Sequence, residues 1–215
     1  MMRLRLVTAL LALSAGACAS DEPSSQAAVE EGGAPIQPEQ GIYGMAPAAA
    51  GGVPSVIMLK RVGVTAVRTE TGSPARIDQF GLTFSPTRLL THLGDTTVFS
   101  NSESAVAHNV RIRALSDGVD ILDADANPGE RITVTLPTTG GYDVLCDMHP
   151  GMTAFIFASD TGQSVFAETD GTFLLDSVPP GTYTVQLWTA DGGFHDARSI
   201  EITVGSTGID LTTPG

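Results

Sequence analysis

The sequence predicts an all-β fold, organised as two successive β-sandwiches. Three observations carry that expectation. Beyond residue 39, no stretch places apolar residues at helical spacing over several turns. Short runs rich in Val, Ile, Thr and Phe alternate instead with clusters of Gly, Pro, Asp and Asn. Where alternation is clean, as in "RITVTL", Ile132, Val134 and Leu136 fall on one face and Arg131, Thr133 and Thr135 on the other. That period of two is the pattern of a strand with one face on a sandwich core.

The N-terminus reads as a targeting segment. Arg3 and Arg5 precede the apolar run "LVTALLAL", and small residues follow up to Cys18. The run is too short to span a bilayer, and its basic, apolar, small order is that of a secretory signal over residues 1–18. Ala15, Gly16 and Ala17 suit either a cleavage site that discards Cys18 or a lipoprotein signal, resembling the bacterial lipobox, that leaves lipid on it. Residues 19–39, "ASDEPSSQAAVEEGGAPIQPE", are small, acidic and rich in Pro and Gly, and read as a flexible tether. The chain is expected to be exported, periplasmic or lipid-anchored in the bacterial cell envelope.

Two of the 11 basic residues precede Cys18 and all 24 acidic ones follow it. Nine bases against 24 acids leave a formal charge of −15 after Cys18. Such a balance excludes nucleic acid or an anionic membrane surface as the partner and suits a basic protein. The only membrane contact expected is through lipid on Cys18. With Cys18 lost or lipidated, Cys146 is a thiol with no disulfide partner in an oxidising compartment.

Candidate strands follow in order: 55–61, 75–84, 95–101, 106–115, 130–137, 142–146 and 153–159. Beyond Ser159, "SVFAETDGTFLLDSVPPGTYTVQLW" predicts three strands set off by Asp170-Gly171 and by Pro179-Pro180-Gly181. "ARSIEITV" and "GIDLTT" complete a small second sandwich over 160–215.

The chemistry-bearing stretch is "CDMHPGM", Cys146 to Met152, on the loop that leaves "YDVLC". It holds Cys146, His149 and Met152, and His108 offers a second imidazole upstream. Two imidazoles, a thiolate and a weak axial thioether make the donor set of a copper electron-transfer site, because thiolate and thioether favour Cu(I) while imidazole suits both oxidation states. Met148 belongs to the neighbouring register and is expected to pack rather than ligate. His92 and His195 are expected at loops or edges, Asp147 at the surface, and Trp188 packed at a strand end. "DADANPGE" opens like a calcium loop, but Pro128 and Val134 stand where an EF-hand needs Gly and Glu.

"GDTTVFSNSE" with "AHNV", then "PGE" and "GYDVLCDMHPGM", resembles the cupredoxin (blue copper) family over residues 75–159. The resemblance implies a Greek-key β-sandwich holding one copper ion through His108, Cys146, His149 and Met152. It also implies that Asn109 ties the two ligand-bearing strands together. Only Pro150 and Gly151 separate His149 from Met152, a short gap for the family. The second cysteine of dinuclear copper domains is absent, so a mononuclear site is implied.

"TDGTFLLDSVPPGTYTVQLW" is similar to the carboxypeptidase regulatory-like, transthyretin-like sandwich, and strands within 40–74 are expected to complete it around an inserted copper domain. No peptidase is implied. None of the four histidines begins an H-x-x-E motif, and no catalytic constellation is found. The function expected is electron carriage between a redox donor and acceptor outside the cytoplasm. The alternative is a copper-binding or Cu(I)-delivery protein of the cell envelope.

Overall fold

The structure, a computed structural model, describes residues 38–64 and 74–213. The expected signal segment, Cys18 and the tether up to residue 37 lie outside the described residues, as do 65–73. Every regular element among the described residues is a strand. The first two are β1 (Gly41–Met45) and β2 (Val56–Arg61). Then come β3 (Ala75–Phe80), β4 (Thr83–Ser85), β5 (Arg88–His92), β6 (Thr96–Asn101) and β7 (His108–Ala114). Next are β8 (Asp120–Ala126), β9 (Arg131–Thr135), β10 (Gly140–Leu145) and β11 (Thr153–Ser159). The last are β12 (Ser164–Phe166), β13 (Thr172–Asp176), β14 (Gly181–Thr189), β15 (Gly193–Phe194), β16 (Arg198–Ile202) and β17 (Ser206–Asp210). The all-β expectation holds.

Strands β3 to β11 form two sheets, ordered β4-β3-β6-β9 and β5-β11-β10-β7-β8. Their inner faces meet in one core, with Ile77, Phe84 and Phe99 from the first sheet against Val110, Ile112, Val144 and Ile156 from the second. Ile132, Val134 and Leu136 line that same core, on the face their alternation gave them. A second pair of sheets, β13-β1-β17 and β12-β2-β14-β15 with β16 on β14, encloses Ile42, Leu59, Phe173, Val185 and Ile202. Thus β1 and β2 pair with strands that follow β11 in the chain.

β11 explains how the two sandwiches join. Its residues Ala154 to Ser159 are all buried. Ala154, Ile156 and Ala158 face the first core, while Phe155 and Phe157 turn outward onto Val56, Met58 and Trp188. Phe155 stacks on Trp188 at 5.7 Å between ring centres, and Phe157 meets it edge-on at 5.2 Å. Such aromatic pairs add about 0.5–1.5 kcal/mol each beyond the area they bury. Gly141 leaves room for this contact, since a Cβ there would stand 2.5 Å from the Trp188 ring.

Several expectations are corrected. The span 75–84 is two strands, because the chain turns at Gly81 and Leu82, which have φ of +63° and +59°. Strands β5 and β8 were not anticipated. β5 finds its partner in parallel with β11, far along the chain, and β8 carries Asp120, Asp123 and Asp125 on exposed positions around a register shift at Ile112/Arg113. Trp188 packs near the end of β14, as expected, and there it forms the contact between sandwiches. Met148 is 43% exposed and so does not pack in the core.

Candidate metal centre

The centre sits at one end of the first sandwich, where β7 begins and β10 ends. His108 is the first residue of β7 and shares the inward face of Val110 and Ile112. It is fully buried. Cys146 follows β10 on the inward parity of Val144 and is 4% exposed.

The 146–152 segment is shaped by its own backbone. His149 N donates to Cys146 O at 3.3 Å, Met152 N donates to His149 O at 3.0 Å, and Cys146 N donates to Met152 O at 3.1 Å. The second of these closes the turn His149-Pro150-Gly151-Met152. Proline fixes φ at the first central position, and Gly151 has φ of +92° at the second, a value that side chains resist. The two-residue gap between His149 and Met152 is therefore the length of one tight turn. It returns Met152, 3% exposed, to the apolar cluster that contains Cys146.

The two imidazoles meet with Nδ1 facing Nδ1 at 3.1 Å and ring planes inclined by 62°. Cys146 Sγ lies 3.6 Å from His149 Nδ1 and 4.0 Å from His108 Nδ1. All candidate ligand atoms of His108, Cys146 and His149 fall within 4.8 Å of one another. Bonds of about 2.0–2.3 Å to a common ion require nitrogen and sulfur donors roughly 3–4 Å apart, so the trio fits a metal. One thiol and two imidazoles, with a thioether alongside, are the donors that suit copper. His149 is half-buried, whereas His108 is enclosed. Burial, and secondarily the neighbouring His149, hold His108 below the ordinary histidine pKa, against an opposing pull from Glu103. His108 thus favours the neutral form that a ligand needs.

Asn109 braces the site. Its backbone N–H points at Cys146 Sγ at 3.5 Å, its Oδ1 accepts from Asp147 N at 2.7 Å, and its Nδ2 donates to Asp123 Oδ1 at 2.7 Å. The β7 strand and the ligand loop are tied together there, as the family resemblance implied. Residues missed from the sequence complete the frame. Arg111 spans Asp120 and Asp147 at 3.0 and 3.3 Å, and Gln79 Nε2 donates to Asn109 O at 3.2 Å. The signal for Gln79 was a polar residue two places after Ile77, on the inward parity of β3. Of the other histidines, His92 lies at the end of β5, and His195 bonds Thr189 in the second sandwich.

Residues 73–157 match the family of copper binding proteins described as plastocyanin/azurin. No curated relative matches the chain. Among solved structures, a Cu(I) mutant of amicyanin is 22% identical, covering 42% of this chain and 87% of that one with a TM-score of 0.37. A reduced amicyanin mutant is 19% identical, covering 47% and 98%, with a TM-score of 0.37. A purple cupredoxin from Nitrosopumilus maritimus is 22% identical, covering 40% and 99%, with a TM-score of 0.35. The matched segment contains His108, Cys146, His149 and Met152, and over it the chain is similar to copper-binding proteins of the plastocyanin/azurin family.

Proposed function

We propose that this protein is an exported mononuclear copper protein that carries one electron between redox partners outside the cytoplasm. His108, Cys146 and His149 would be its strong copper ligands and Met152 its weak one. The observation that carries this reading is the convergence of three donor atoms, 3.1–4.0 Å apart, from two separately packed elements. Bound there, copper supplies a one-electron Cu(II)/Cu(I) couple. The chain's own part is to hold the donors still. His108 is fixed by β7, the turn at Pro150-Gly151 fixes His149 and Met152, and Asn109 locks the two together. His149, being half-buried, is the imidazole that a docked partner can approach. An acidic chain with a formal charge of −13 favours a basic redox protein as donor or acceptor.

The basic, apolar and small order of residues 1–18 supports export, with either cleavage or lipid at Cys18. The unpaired Cys146 also makes sense outside the cytoplasm once metal occupies it. We read β1, β2 and β12–β17 as a carboxypeptidase regulatory-like domain interrupted by the copper domain, on the strength of "TDGTFLLDSVPPGTYTVQLW" and the pairing of β1 with β13 and β17. Its role is support and docking, not catalysis.

A second reading, Cu(I) delivery, is favoured by Met148, an exposed thioether on the ligand loop. Retention separates the two. A carrier bleaches and recolours reversibly and keeps copper against a moderate Cu(I) chelator. Rapid stoichiometric loss to the chelator, with circular dichroism unchanged, would establish delivery.

A further inference from the structure

Two buried polar atoms of the site stand without a partner among the described residues, and the two are complementary. His108 Nε2 and Gln79 Oε1 are both buried and, among the described residues, both lack a hydrogen-bond partner. Both side chains are 0% exposed. Both lie on the inward-facing parity of their strands. On β7, His108 precedes core residue Val110 by two; on β3, Gln79 follows core residue Ile77 by two. Gln79 reaches across, since its Nε2 donates to the carbonyl of Asn109, the residue next to His108.

Chemistry dictates what each atom wants. A neutral imidazole that offers Nδ1 to a metal carries its proton on Nε2. A ligand histidine ordinarily gives that proton to a carbonyl, a carboxylate or water, which fixes both tautomer and ring orientation. Gln79 Oε1 is an acceptor with no donor among the described residues.

We propose that Gln79 is the positioning residue for His108. Its amide nitrogen anchors on Asn109 O, and its oxygen accepts the His108 Nε2–H, which keeps Nδ1 free and turned toward Cys146 and His149. This rests on His108 being a copper ligand. A merely structural Gln79 would clip β3 to β7 and leave the imidazole proton alone.

The test is nitrogen-15 NMR of the full chain loaded with Cu(I), comparing parent, Gln79→Leu and Gln79→Glu. The parent should show a His108 Nε2–H signal that exchanges slowly with water. Gln79→Leu should speed that exchange at least about tenfold and weaken copper affinity by roughly 10–100-fold. Gln79→Glu keeps the acceptor but loses the donor to Asn109, so it should keep the signal. Equal exchange in Gln79→Leu and parent, or loss of the signal in Gln79→Glu, overturns the proposal. Absence of a protected Nε2–H in the parent overturns it without any variant. If the parent binds no copper, the metal reading fails separately, and the tautomer in the apo chain still reports on Gln79.

Discussion

Each sandwich is closed by a tyrosine whose hydroxyl donates to the backbone four residues upstream, Tyr142 to Thr138 at 2.7 Å in the first and Tyr183 to Pro179 at 2.9 Å in the second. Each has its own apolar core. They differ in the polar groups they enclose. In the second, Ser55 and Thr161 are buried hydroxyls bonded to the carbonyls of Pro47 and Leu59, both at 2.6 Å. In the first, one end buries an imidazole, a thiol and the amides of Gln79, Asn101 and Asn109. Enclosing so many polar groups is unfavourable unless each has a partner. The lesson is that hydroxyls on backbone carbonyls hold a fold together, whereas a convergent set of donors with spare lone pairs is arranged for a ligand.

That contrast is sharpest at the bracing residues. Asn109→Ala removes the bonds to Asp147 and Asp123 and should lower copper affinity by roughly 10–100-fold, as read by competitive titration. The corresponding cut in the second sandwich, Thr161→Ala, should leave copper affinity unchanged and cost about 1 kcal/mol of stability in denaturant unfolding. A matching loss of affinity in Thr161→Ala would erase the distinction. Gly141→Ala probes the seam between sandwiches. A methyl 2.5 Å from the Trp188 ring should destabilise by about 1–3 kcal/mol while the optical spectrum of the copper form stays the same.

Smaller effects refine the picture within the first sandwich. Met152→Leu should retain copper and raise the reduction potential, because losing a weak axial donor destabilises Cu(II) more than Cu(I). Complete loss of copper would make Met152 a primary ligand. Asp143 sits beside Phe155 on β10, and burial holds its carboxyl above the ordinary value. The folded chain then binds more protons than the unfolded one between the ordinary and raised values, so stability falls as pH rises through that window. Asp143→Asn should stabilise at neutral pH and have no effect below the ordinary carboxylate range. Thermal melts across pH check the sign.

What was legible in the sequence was local. Cys146, His149 and Met152 announce themselves because the loop's chemistry is compressed into seven residues, and "RITVTL" shows its buried face through simple alternation. His108 came from its resemblance to a ligand strand rather than from spacing. The missing parts depend on the third dimension. β5 has meaning only beside β11, and the acids of β8 conceal a strand because they face solvent. Arg111 and Asp147 are 36 residues apart in sequence and meet only across the pairing of β7 with β10. Gln79 reads as an ordinary strand residue until β7 is seen opposite it.

The visible and EPR spectra of the purified protein with Cu(II) test the central claim most directly. The account predicts one bound copper per chain and an intense visible band from thiolate-to-copper charge transfer. That band should disappear in Cys146→Ser, since a hydroxyl cannot supply the covalent thiolate bond. A colourless copper complex in the parent protein, or a band that survives Cys146→Ser, would contradict it.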